Sequence, residues 1–215
     1  MQINYHTKKT PCVLISLLIL TLIVPFATSA FEAPLSFSPA GTAQWWDADW
    51  SYRKPITIDH TKVASPLTNF PVLISLPSDS NLAAHAQSDG DDIVFTDSNG
   101  NKLNHELELY TSTTGRLVAW VNVPSLSATT DTLLYLYYGN SACSNQQHPP
   151  GTWDSSYLMV HHMEEPGDIY DSTSHALHAV NHGTTPEPNG KINGCRAYDH
   201  LTAHYKFGNN PLLTP

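Results

Sequence analysis

Short runs in which apolar and polar residues alternate dominate the middle of the chain. The run FPVLISL places Phe70, Val72, Ile74 and Leu76 on one side of an extended segment, because successive side chains of a strand point to opposite faces. YRKPITI, DIVFTD and HELEL alternate in the same way, while RLVAWVNV and TLLYLYY are apolar on both faces, as doubly covered strands are. A helical turn is indicated only around NLAAHAQ. Short strands separated by turn residues predict an all-β chain, an antiparallel, jelly-roll-like β-sandwich.

An acid-rich stretch, GDDIVFTDSNGNKLNHELELY, contains the clearest turn signal. Asn99-Gly100 between two alternating runs predicts a two-residue hairpin of type I′, in which both central residues have positive φ. Leu107 then points into the sandwich, and Glu106 and Glu108 point away from it. The sequence therefore predicts that these two acids form the solvated face of a strand.

Three aspartates precede this hairpin, in the segment SDGDD. Aspartates at such a position commonly accept hydrogen bonds from backbone N–H groups of a turn. A Ca²⁺ site built from Asp89, Asp91 and Asp92 is the alternative, because hard cations bind clustered carboxylates. The next segment, DSNGNK, does not fit a Ca²⁺-binding EF-hand loop, since Lys102 stands where that loop has glycine.

The first thirty residues have the pattern of a signal peptide. Lys8 and Lys9 precede an apolar run from 13 to 27, and small residues follow up to Ala30. Residues 31–44 form a linker, with two prolines and no periodicity. We therefore expect an exported protein, whether secreted, periplasmic or at the cell surface. Contact with a membrane is expected only through an uncleaved signal segment or an envelope complex.

Charge and cysteine content restrict the partners further. The net charge of −9 becomes −11 once residues 1–30, with two lysines and no acid, are removed. Such a chain repels phosphate backbones, so we expect no nucleic acid partner. Export would permit a disulfide between Cys143 and Cys195, and two unpaired thiols are the alternative.

The segment from 45 to about 141 resembles a known family. WSYRKPITI, NFPVLISL, GDDIVFTDSNGNKLNHELELY, LVAWVNVPSLS and LYLYYGN follow one another without large gaps, as in the domain of unknown function 2341 family. The resemblance implies an exported bacterial or archaeal protein. Some such proteins are described as MotA/TolQ/ExbB-type transport proteins. It implies no activity and no catalytic residues.

A second resemblance begins after a linker at 142–152. TWDSSYLMVHHMEEPGDIYDSTS, NHGTT, GKINGCRAYD and FGNNPLL, within 153–215, are similar to the opening of a concanavalin-A-like, laminin-G-like jelly roll. Such a domain needs on the order of 150 residues. We therefore expect an incomplete second β-sandwich here. AYDHLTAHYKF departs from the pattern, because a glycine-containing turn would be expected there.

Aromatic and histidine residues provide further candidates for a site. Trp46, Trp50, Tyr110 and Trp120 either fill the sandwich or form a platform on which a sugar ring stacks. The segment HHMEEPGDIYDSTSHALHAVNH concentrates five histidines beside four acids. Zinc would accept such ligands, but solvated loop histidines are the expected interpretation.

These patterns favour a non-catalytic exported module that recognises carbohydrate or a cell-surface protein. A structural or accessory module of an envelope transport (MotA/TolQ/ExbB-type) or adhesion assembly is the alternative. A glycan-active enzyme fragment comes third, since neither Glu106 with Glu108 nor Glu164 with Glu165 has an evident cleft. No cofactor other than Ca²⁺ is expected.

Overall fold

Two antiparallel sheets packed face to face form the main body of the protein. The structure, a computed structural model, describes residues 45–199 and 201–213. Sheet A has the strand order β1-β7-β3-β4, and sheet B has the order β2-β6-β5. The strands of the two sheets are β1 Tyr52–Ile58, β2 Leu67–Leu76, β3 Val94–Asp97, β4 Lys102–Leu103, β5 His105–Thr111, β6 Arg116–Leu126 and β7 Thr132–Tyr138. The predicted all-β, antiparallel sandwich is confirmed.

The sandwich core lies where the alternation of the strands places it. Val72, Ile74 and Leu76 of β2 are buried against Ile56 and Ile58 of β1 in one apolar cluster. Phe70 is the exception in its run, with 39% of its surface exposed. Asn69 beside it has a φ of 49° and falls outside the β2–β6 register.

The Asn99-Gly100 turn joins two strands as expected, but with a different geometry. Asp97 pairs with Asn101 through its backbone, and Gly100 has a φ of 84°. Asn99 is not among the described residues with positive φ, so the turn is not type I′. The Asp97 carboxylate accepts hydrogen bonds from the backbone of Asn99 and Asn101, and this Asx-type cap fixes the loop.

The predicted helical turn is present beside the sandwich. α1 Ser80–His85 begins after Asp79, whose carboxylate accepts hydrogen bonds from the N–H groups of Asn81 and Leu82. Leu82 is fully buried in the core. Capping and one apolar anchor therefore hold a helix that would be too short to persist alone.

The chain after β7 forms smaller elements that pack against the sandwich. Two two-stranded ribbons pair β8 with β11 and β9 with β10. The likeness to a concanavalin-A-like domain remains a prediction. The elements are α2 Pro149–Thr152, β8 Ala179–His182, β9 Thr185–Glu187, β10 Cys195–Ala197 and β11 His204–Phe207, with 3-10 turns at His60–Lys62 and Pro211–Leu213.

The predicted signal peptide at 1–30 and linker at 31–44 lie outside the described residues. Among the residues that are described, no helix is both long and apolar enough to cross a membrane.

Candidate functional site

The outer face of sheet B carries the most distinctive group of side chains. On β6 the residues Leu117, Ala119 and Val121 point into the core, so Val118 and Trp120 point outward. Glu106 of β5 lies directly opposite Trp120 in the β5–β6 register. Two acids and an indole therefore share a surface on neighbouring strands, which is the arrangement that the alternation predicts.

This face is covered, and the predicted solvated acids are buried. The segment after α2 lies across it, and Glu106 retains only 8% of its exposure. Its carboxylate accepts hydrogen bonds from Trp153 Nε1 at 2.8 Å and Ser172 Oγ at 2.5 Å. The side chain of Glu108 is 4% exposed. The expectation of a wetted face is therefore wrong for both glutamates, because alternation fixes the direction of a side chain and not what later packs on it.

His162 binds both glutamates at once. Its Nδ1 lies 3.1 Å from Glu108 Oε2, and its Nε2 lies 3.2 Å from Glu106 Oε2 without the alignment of a hydrogen bond. Burial alone would lower the pKa of His162, but the two carboxylates raise this pKa to about 10. The imidazole is thus a cation at neutral pH. We call Glu106, His162 and Glu108 the clamp.

The clamp also keeps Glu106 ionised. Burial would raise the pKa of Glu106, but the imidazolium of His162 and the hydrogen bonds from Ser172 and Trp153 lower it below its ordinary value. The clamp therefore places ionisable groups of both signs in a buried cluster. Such a cluster is tolerated only because nearly every oxygen has a donor.

Two indoles form the floor of a cleft beside the clamp. Trp120 Nε1 donates a 2.8 Å hydrogen bond to Glu108 Oε2, which fixes the ring. The ring of Trp153 lies 5.3 Å away at a tilt of 52°. The cleft has a volume of about 380 Å³, which falls within the range of small-ligand sites. Its lining comprises Glu108, Trp120, Trp153, Val160, His161, His162, Met163, Lys191, Ile192, Gly194 and Cys195.

A third glutamate lies close to the clamp. Burial and the negative charge of Glu108 raise the pKa of Glu164 to about 7. Asn193 donates a hydrogen bond to its carboxylate and accepts one from Arg116 at 3.3 Å. Glu164 is therefore partly protonated near neutral pH, so that it can act as a hydrogen-bond donor as well as an acceptor.

The segment that builds both strands of this site and part of its cover has a family match. Residues 89–176 match the family described as Domain of unknown function (DUF2341). The DUF2341 segment runs from the turn before β3 to a point beyond Ser172, so it includes the whole clamp. No curated protein and no solved structure matches the chain significantly. The match supports the first resemblance seen in the sequence, and no match supports a concanavalin-A-like domain.

The four aromatic candidates do not form one platform. Trp46 and Trp50 pack with Tyr137 on the outer face of sheet A. Tyr110 packs against the sandwich core and donates a 2.9 Å hydrogen bond to the carbonyl of Leu82. Of the four candidates, Trp120 is the one that lies on the outer face of sheet B. Trp153, which was not a candidate, packs beside it.

The three aspartates of the Ca²⁺ alternative are not brought together as ligands. Asp92 is fully buried, and its carboxylate accepts hydrogen bonds from the N–H groups of Gln87, Gly139 and Asn140. Asp89 accepts a hydrogen bond from the N–H of Asp91. These roles are those of turn caps. Among the described residues, the one group of at least three His, Cys, Asp or Glu side chains whose potential ligand atoms lie within 4.8 Å of one another is Asp59, His60 and Asp131.

Cys143 and Cys195 are both free in the structure, which corresponds to the alternative of two unpaired thiols. Cys143 packs against Trp50 and Val94 on the outer face of sheet A. Cys195 lines the cleft above sheet B. The sandwich therefore separates the two thiols.

Sequence reasoning missed His162, Trp153, Ser172 and Glu164 as partners of the β5 glutamates. The prediction that the histidine-rich segment is a solvated loop is wrong for His162, whose side chain is 11% exposed. No local sequence pattern indicates these contacts, because the residues that make them lie far apart in the chain. Ser172 and Glu106, for example, are separated by 66 positions. The usable signal was the pair of outward glutamates beside an outward tryptophan.

Proposed function

We propose that the chain is a non-catalytic recognition module of an exported protein, and that it binds carbohydrate in the cleft over Trp120. The observation that carries the proposal is the indole of Trp120, held by Glu108 at the floor of a cleft of about 380 Å³. A fixed flat ring offers its negative π face to the C–H groups of a sugar. Lys191 and His161 supply polar groups for hydroxyls around it.

Glycan-array screening followed by calorimetry with the best oligosaccharide tests this proposal. We expect Trp120→Ala to weaken binding about 10-fold or more, because burial of a large apolar side chain is worth roughly 1.5–3 kcal/mol. Ile192→Arg, on the exposed part of the lining, should block the cleft without disturbing the clamp. Tyr170→Ala is the matched control, since Tyr170 is 61% exposed and lies outside the lining.

Three results would contradict the proposal. They are binding that survives both Trp120→Ala and Ile192→Arg, binding that Tyr170→Ala weakens equally, and no binding to any glycan at millimolar concentration. The last result would favour the role of an accessory module in an envelope assembly. Thermal unfolding of each variant identifies a loss of binding that merely follows from loss of the fold.

A second candidate, glycan hydrolysis, is favoured by Glu164 beside Glu108. Glycosidases use two carboxyls in different protonation states, and the raised pKa of Glu164, about 7, suits a general acid. The second carboxyl is less suitable, because Glu108 Oε2 already contacts Trp120 and His162. Polysaccharide turnover that Glu164→Gln abolishes would establish this activity, and its absence would leave binding alone.

A further inference from the structure

Two histidines face each other across the ribbon formed by β8 and β11. His182 and His204 are directly opposite in the antiparallel register, where side chains on one face lie close together. Their rings are nearly parallel, with an interplanar angle of 8° and centroids 4.7 Å apart. Both residues are exposed. Neither lines the cleft over Trp120, so this pair is separate from the site described above.

The hydrogen bonding of His204 prepares one nitrogen for a metal. Its Nδ1 lies 2.7 Å from the carbonyl oxygen of Thr202, and a carbonyl only accepts, so Nδ1 carries the proton. Nε2 is then the nitrogen with the free lone pair. Histidines that bind metals typically donate their other nitrogen to a carbonyl in this way, which fixes the tautomer and the ring orientation.

We propose that His182 and His204 form a surface chelate for a divalent transition-metal ion. A metal held by two imidazoles needs nitrogens about 3 Å apart, given metal–nitrogen distances of about 2.0–2.1 Å. The two exposed rings lie on one face of the ribbon with centroids 4.7 Å apart, and they turn out of their stacked arrangement to direct both nitrogens at one ion. Water completes the coordination. Imidazole ligands favour Cu²⁺ over Ni²⁺ and Zn²⁺, so Cu²⁺ binds most tightly.

Calorimetric titration of the untagged protein with Cu²⁺, Ni²⁺ and Zn²⁺ tests the chelate. We expect one site, tightest for Cu²⁺, that weakens as pH falls because imidazole binds metal only when deprotonated. Loss of a residue that only supports a metal ligand typically weakens binding about 10- to 100-fold. His182→Ala and His204→Ala each remove a ligand itself, so each should weaken Cu²⁺ binding by at least that much. The Cu²⁺ electron paramagnetic resonance spectrum should show two nitrogen ligands.

Two variants serve as controls. His85→Ala removes an exposed histidine whose ring stacks on Tyr52, and it should leave Cu²⁺ binding unchanged. His60→Ala disrupts the rival group of Asp59, His60 and Asp131, and it should also leave Cu²⁺ binding unchanged. The proposal is overturned if His60→Ala abolishes the site, if His182→Ala and His204→Ala leave it intact, or if no ion binds.

Discussion

His105 begins β5 with its ring inside the sandwich core, where it is fully buried. The ring meets Phe95 edge-on at 5.3 Å, and Nδ1 lies 3.3 Å from the carbonyl of Leu103. Burial lowers the pKa of His105 to about 4. The residues that lie on the same face of β5 as His105 are apolar. The sequence pattern therefore gives no indication that a histidine occupies a core position there.

This histidine should make folding sensitive to mild acid. Because its pKa in the folded state lies below the unfolded value near 6.5, its contribution is complete above about pH 6.5 and is lost as pH falls towards 4. We expect the free energy of unfolding to fall by about 2 kcal/mol more in the native protein than in His105→Leu between about pH 7 and pH 5. Urea unfolding at both pH values measures this difference.

His85→Leu, at an exposed position, is the control and should keep the pH dependence of the native protein. Equal pH dependence in the native protein and His105→Leu would show that the ring is not buried as a neutral imidazole.

At the level of single elements, the strands were predictable because their signal is local. The alternation at β2 and β5 identifies the residues that face the core, and Asn99-Gly100 identifies the hairpin between β3 and β4. Turn conformation was less predictable, because the cap from Asp97 decided it. The cover on β5 could not be predicted, since its contacts join distant segments that share no periodicity.

The turn between β5 and β6 depends on one glycine. Gly115 has a φ of 65°, and a Cβ there would lie 1.9 Å from the backbone oxygen of Asp79, the capping residue of α1. We expect Gly115→Ala to destabilise the protein by on the order of 2 kcal/mol or more, from backbone strain and this overlap. Urea unfolding should show a lower midpoint.

Gly208→Ala is the matched control, because a Cβ at that position meets nothing within 4 Å. It should change the midpoint little. Similar effects of the two substitutions would contradict the close approach of this turn to α1.

At the scale of the whole molecule, the clamp joins the sandwich to the segment that follows it. The match to DUF2341 extends to 176, well past β7, which agrees with a folded unit that includes His162 and Ser172. The raised pKa of His162 means that its stabilising effect is complete below about pH 6.5 and is lost as pH rises through about 10. Because residues of that segment line the cleft, the cleft exists only while the segment stays in place.

The charge state of His162 tests this arrangement most directly. In a pH titration followed by NMR of the histidine ring signals, assigned by their loss in His162→Gln, we expect His162 to remain an imidazolium at about pH 8.5. An ordinary histidine, with a pKa of about 6.5, is neutral there. Titration of His162 in that ordinary range would contradict the account, because it would mean that the ring does not lie between Glu106 and Glu108 and that the outer face of sheet B is open.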